Sequence, residues 1–222
     1  MKKYSFVLAL FSILGFIVTC APVQKESVPF STPESQIEAG QNSQKPAAET
    51  QQGTSSDVRE ILDKSEARVK GIYYKYKGPE TGNDFYEFYI KGSRIKYKPH
   101  LEIKTLDKPE SFDSIFIDTS AKTAASYCEA VYCTYKGKKQ DLNYGQAYIL
   151  TIFDWIGVEQ AEKVGEEVID SRSTWKLETN LGTLWIDTFY GIPLKAESNG
   201  KTYRFEQIAV NSMQDSDVVP SS

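Results

Sequence analysis

The sequence predicts an α+β, mainly β domain: one long antiparallel sheet, curved into an unclosed half-barrel, with helices over its concave face. Three observations carry that expectation. Roughly ten short segments alternate apolar and polar residues, turn residues separate them at hairpin spacing, and only two stretches repeat apolar residues at helical spacing. Strands in hairpin order with so few helices argue against an alternating parallel α/β sheet. A sheet that long twists and curls. Its concave apolar side then needs cover, which two amphipathic helices supply.

The chain of 222 residues opens with an export signal: Lys2 and Lys3, an apolar run from Phe6 to Val18, then Thr19-Cys20. Residues 1–19 read as a signal peptide of lipoprotein type or as a signal anchor. Ile17-Val18-Thr19-Cys20 resembles a lipobox, with Thr19 departing from the usual Gly, Ala or Ser, and it makes Cys20 the lipidation site. Counted to Val23, the apolar run approaches the roughly 20 residues a helix needs to span a bilayer, so an uncleaved anchor stays open beside lipidation. Either reading places the protein outside the cytoplasm, held at a membrane.

Residues 20–56 contain Pro22, Pro29, Pro33 and Pro46, six glutamines and a single aromatic, Phe30. Such a segment buries too little apolar surface to offset chain entropy and is expected to be a disordered tether. Its root-mean-square reach would be roughly 30–35 Å.

The domain is expected over 57–218, with 219–222 as a tail. Asp57 and Glu60 form a candidate capping box, and Val58, Ile61, Leu62 and Val69 share one helical face. Period two follows: Ile72, Tyr74 and Tyr76, then Tyr86, Phe88 and Ile90, then Ile95 and Tyr97. Gly78-Pro79, Gly82-Asn83-Asp84 and Gly92-Ser93 mark the turns. Further strands are expected at 114–118, 123–128 and 132–136, with a turn at 137–140. Ile149, Ile152, Phe153 and Ile156, flanked by Tyr148 and Trp155, predict a second helix over about 145–156. Strands resume at 167–171, 174–179, 184–187, 193–198 and 202–210.

Function classes narrow by charge and residue type. Without residues 1–19 the chain carries 24 basic and 30 acidic side chains, net −6, which argues against nucleic acid as a partner. Cys128 and Cys133 are expected to form a structural disulfide in an oxidising compartment, since redox motifs favour two intervening residues. His100 is the only histidine, so neither a metal site nor a catalytic set is expected, and no cofactor. Ser126, Ser171 and Ser173 lack a nucleophile-elbow setting, and His100 follows Pro99 in a connection. No catalytic residue is assigned, and the protein reads as a non-enzyme.

Gly182-Thr183-Leu184-Trp185-Ile186-Asp187, Gly191-Ile192-Pro193-Leu194-Lys195-Ala196-Glu197, Gly200-Lys201-Thr202-Tyr203-Arg204-Phe205 and the ending 210–218 resemble the closing strands of LolA/LolB-like proteins. That superfamily includes lipoprotein carriers and receptors, folded as an unclosed β-barrel capped by helices. The likeness is close over roughly 165–218 and looser from 57, and it transfers no ligand contact. It implies a membrane-tethered lipoprotein that binds acyl chains or lipidated proteins in an apolar cleft; a non-catalytic envelope interaction or sensor domain is the alternative. Tyr74, Phe88, Ile152 and Phe153 are the expected cleft residues. Aromatic strands fit a filled, tyrosine-rich core first and an apolar ligand cleft second.

Overall fold

The computed structural model describes residues 53–100, 103–105, 108–130 and 138–221; of 103–105 and 108–111 only the backbone is described. The described residues belong to one compact unit, Glu49–Ser222. Cys20, Cys133 and the expected strand at 132–136 lie outside them, as do the signal and nearly all of the tether.

The unit is mainly β. Its strands are β1 (Ile72–Lys77), β2 (Tyr86–Lys91), β3 (Arg94–Pro99), β4 (Ile103–Thr105), β5 (Lys108–Phe112), β6 (Ser114–Asp118), β7 (Thr123–Tyr127), β8 (Lys139–Leu142), β9 (Ala161–Ile169), β10 (Arg172–Thr179), β11 (Gly182–Asp187), β12 (Pro193–Ser198) and β13 (Lys201–Val210). Eleven of them form one antiparallel sheet in the order β8-β7-β6-β3-β2-β1-β13-β12-β11-β10-β9, while β4 and β5 pair separately. The sheet is not closed: β8 and β9 are its edges. The first and last strands pair at its middle, Ile72 opposite Val210 and Tyr76 opposite Phe205.

Period two becomes burial as expected. Ile72, Tyr74 and Tyr76 are buried while Tyr73, Lys75 and Lys77 are not, and Phe88, Ile90, Ile95 and Tyr97 continue the same face. Opposite partners Tyr74–Phe88 and Phe88–Tyr97 stack with ring centroids 5.2 Å apart. Phe205 meets the edge of Tyr74 at 5.6 Å. Such cross-strand aromatic pairs stabilise a sheet beyond their area burial. Together they form the inner face of the sheet. Register shifts in β1–β13, β11–β12 and β9–β10 mark bulges, which add local twist.

Helix α1 (Ser56–Arg68) buries Val58, Ile61 and Leu62, the expected face, in the same core cluster as the inner-face residues. Its cap is Ser55, whose hydroxyl accepts from the Val58 N–H, so Asp57 sits in the first turn instead of capping.

The expected helix over 145–156 is corrected. Helix α2 spans only Tyr144–Ala147, capped by Asn143, and a separate turn follows at 152–156. The cause is local. The Asp154 carboxylate accepts from the Thr151 N–H (2.6 Å), the Thr151 hydroxyl (2.7 Å) and the Tyr148 hydroxyl (2.8 Å), a capping arrangement that starts a new turn at Thr151 and stops the old one. Since β8 and β9 are opposite edges, residues 143–160 have to cross the sheet. They do so as a strap. Ala147, Ile152, Trp155 and Val158 join the core cluster, the Tyr97 hydroxyl donates to the Ala147 carbonyl at 3.0 Å, and Trp155 packs 4.7 Å from Tyr203.

The expected turn at 137–140 is also corrected, because Lys139 and Gln140 begin β8. β9 starts at Ala161, six residues before the expected strand, and the β4–β5 hairpin was not expected.

Candidate functional site

Between α1 and the strap lies a cleft of about 400 Å³, lined by Leu62, Asp63, Ser65, Glu66 and Val69 on one side and Phe153, Ile156 and Gly157 on the other. Its position follows from how each wall is held.

The α1 wall is docked on the β11–β12 turn. Lys64 donates to the Thr188 carbonyl at 3.1 Å and Arg68 to the Phe189 carbonyl at 2.6 Å, with its guanidinium 4.8 Å from the Phe189 ring. The turn itself is organised by buried Asp187, whose carboxylate accepts from the N–H groups of Phe189 (2.8 Å) and Tyr190 (2.7 Å) and from Arg172 (3.2 Å). Gly191 completes it with φ +70°, and a Cβ there would lie 2.2 Å from the Ile61 carbonyl oxygen. Only glycine permits that helix-to-turn approach. Asp187 of the Trp-Ile-Asp segment and Gly191 of the Gly-Ile-Pro segment thus shape the turn on which α1 is seated.

The strap wall is held at three places. Asp154 organises its turn, as above. The Ile152 N–H donates to the Tyr74 hydroxyl oxygen at 3.2 Å, and the Asn180 side chain accepts from Glu159 and Gln160 where the strap meets β9. Burial pushes the Tyr74 phenol well above its ordinary pKa, so this group stays neutral beneath the strap.

The four expected cleft residues separate. Tyr74 and Ile152 are completely buried and touch one another, and Phe88 stacks on Tyr74; these three fill the inner face. Phe153 is half-buried and lines the cleft. Leu62, Val69 and Ile156 join it there, all of them recognised in the sequence as apolar helical positions but not as one surface. Asp63 and Glu66 carried no such signal. They are visible as cleft residues only once α1 is placed against the strap.

The remaining candidates are dispersed. Cys128 is buried just beyond β7. Ser126 is buried within β7, whereas Ser171 and Ser173 are exposed around the β9–β10 turn. His100 follows β3, its ring 5.3 Å from Phe85 and its Nε2 4.0 Å from Asp84. Among the described residues no group of three or more His, Cys, Asp or Glu side chains is placed to hold a metal ion. No helix of the described residues is long and apolar enough to cross a membrane.

No family model matches the chain, and no curated protein matches it. Solved structures do show similarity. An uncharacterized conserved protein from Thermus thermophilus aligns at a TM-score of 0.47 and 12% identity, over 75% of this chain and 95% of that one. LprF from Mycobacterium bovis aligns at 0.40 and 12%, over 73% and 96%. MucB, in its complex with MucA(peri), aligns at 0.35 and 12%, over 75% and 60%.

Proposed function

We propose that this protein is a membrane-tethered, extracytoplasmic, non-catalytic lipoprotein that takes acyl chains, free or carried by lipidated proteins, at the cleft between α1 and the strap. The helix and the strap together would act as the cover of a LolA/LolB-like half-barrel. The observation that carries this reading is the cleft's apolar lining: Leu62 and Val69 on one wall and Phe153 and Ile156 on the other border a space of about 400 Å³, within the range of small-ligand pockets. Burying a methylene is worth about 0.8 kcal/mol, so some ten of them offer roughly 8 kcal/mol before ordering costs. Lipid anchorage at Cys20 would place the cleft beside its ligands.

A second reading has its own support. Tyr74, Tyr76, Phe88 and Phe205 are 0–1% exposed and pack the inner face, which favours an envelope interaction or sensor domain with a filled core. Titration of the unit Glu49–Ser222 with a fluorescent fatty acid separates the two. Saturable binding that weakens in Phe153→Trp supports the carrier reading; a folded unit with no saturable binding moves the assignment to the interaction domain. Anchorage is tested separately, by membrane partition and precursor size of Cys20→Ser. Unchanged processing and retention would favour an uncleaved anchor.

A further inference from the structure

We infer that residues 215–221 are a displaceable occupant of a peptide groove on the outer face of the sheet, and that an extended apolar segment of a partner protein takes their place. The groove lies on the side away from the core, so the inference stands apart from the acyl-chain reading of the cleft.

Ile115 and Ile117 belong to the core cluster, so strand alternation puts Phe116 on the opposite face. Its register partners Lys96 and Ala125 share that face, and Tyr127 meets its ring at 5.3 Å. Phe116, Ala125 and Tyr127 border, with Val218, Val219 and Pro220, a cavity of about 380 Å³. The charged lining, Arg94, Asp118, Lys139 and Asp141, carries two charges of each sign, so shape and apolar contact decide what enters.

The segment is held at a few points. Asp215 pairs with Lys91 at 2.9 Å but is 83% exposed, and such surface pairs contribute little. Val218 is the only buried residue of 211–221. At the far end, Glu129 Oε1 accepts from the N–H and the hydroxyl of Ser221, both at 2.9 Å, while Oε2 meets Lys96 Nζ at 2.6 Å. Glu129 is itself fixed by Asp113, whose carboxylate accepts from the N–H groups of Glu129 (2.8 Å) and Ala130 (2.5 Å). The Lys96–Glu129 pair is only 11% and 9% exposed, and a pair so placed needs its remaining lone pairs satisfied. Ser221 supplies those donors, and the peptide N–H of a partner would serve equally.

The segment joins no strand of the sheet. Protein interiors are close-packed, so the cavity left beside Val219 marks an occupant that fills the groove incompletely. A segment with a larger apolar side chain at that place, and a donor toward Glu129, fits it better.

The probe is a synthetic peptide of residues 213–222, titrated into isotope-labelled full-length protein and into a variant ending at Ser212, with the amide shifts of Ala125 and Glu129 as readout. The shortened protein is expected to bind it saturably. Full-length protein should bind at least about tenfold more weakly, because the tethered segment competes at high effective concentration. A peptide carrying Val219→Phe should bind roughly tenfold tighter than the native one, and a peptide carrying Val218→Asp not measurably. The full-length Val218→Asp variant, its segment unseated, repeats the test where truncation unfolds the protein. No shift at either amide in a folded variant, equal affinity for full-length and shortened protein, or no gain from Val219→Phe would overturn the inference. Unfolding of both variants would overturn it too, by making the segment part of the fold. A full-length dimer that the peptide splits would assign the groove to the same segment of a second copy instead.

Discussion

The backbone N–H of Ile152 donates to the hydroxyl oxygen of Tyr74 at 3.2 Å, and neither residue has any exposed surface. Tyr74 lies on β1, the middle strand of the eleven, so this bond ties the strap to the centre of the sheet. Tyr74→Phe keeps the ring that packs against Phe88 and Phe205 but leaves a buried N–H without its acceptor. The expected loss is about 1–3 kcal/mol. It should appear as a lower denaturant midpoint at unchanged slope, with faster hydrogen exchange at the Ile152 amide. An unchanged midpoint would show that this bond adds nothing to the hold on the strap.

Burial raises the pKa values of Tyr74, Tyr76 and Tyr97, with Glu80 adding to the effect at Tyr76 and Tyr86 at Tyr97. The folded state thus keeps protons that the unfolded state releases above about pH 10. Stability is complete below that pH and falls as pH rises through it, at about 1.4 kcal/mol per pH unit for each such tyrosine. Tyrosinate absorbance should therefore show a cooperative step that coincides with loss of the near-ultraviolet circular dichroism signal. A smooth titration of every tyrosine near pH 10 in a still-folded protein would contradict this.

The sequence made the inner face legible because period two is a direct consequence of strand geometry: Ile72, Tyr74, Tyr76, Phe88, Ile95 and Tyr97 all fall where alternation puts them. It hid the edges. β8 and most of β9 are polar on both faces, as in Lys139-Gln140-Asp141 and Glu166-Glu167, because an edge strand outside the core needs no apolar alternation. The strap misled for the opposite reason. Its apolar residues follow the sheet beneath them, which mimics a helical stripe, while the Thr151–Asp154 signal that breaks the helix is a single pair. At the site, the difference between buried Ile152 and cleft-lining Phe153 depends on that break, and so was out of reach of periodicity.

Gly191 is the residue on which seating of α1 depends most sharply. Gly191→Ala combines a positive φ with a Cβ 2.2 Å from the Ile61 carbonyl oxygen, so backbone has to move against backbone. A cost of about 2–4 kcal/mol is expected. Thermal unfolding would measure it, and acyl binding should weaken as well because one wall of the cleft shifts. Wild-type stability in this variant would mean that α1 slides without penalty.

Cys128, 5% exposed just beyond β7, is expected to bond to Cys133. Closing so short a loop contributes only about 2 kcal/mol. Mass analysis of the exported, non-reduced protein should find neither thiol free, and Cys128→Ser/Cys133→Ser should unfold at a modestly lower temperature. Two alkylatable thiols in the native protein would refute the pairing.

Neighbouring strap residues should respond oppositely to the same truncation. Ile152 has no exposed surface, and Ile152→Ala leaves a hole beneath the strap, for which about 2–5 kcal/mol is expected. Phe153 is half-buried on the cleft wall, so Phe153→Ala removes less packing and should cost the fold distinctly less. If the cleft holds an acyl chain, it also removes a large contact for that chain. Fatty-acid affinity should then fall roughly tenfold, about 1.4 kcal/mol, whereas Ile152→Ala, assayed where it is still folded, should bind within a few-fold of wild type. Reversal of that order, with Ile152→Ala abolishing binding and Phe153→Ala leaving it intact, would move the ligand from the cleft to the inner face beneath the strap.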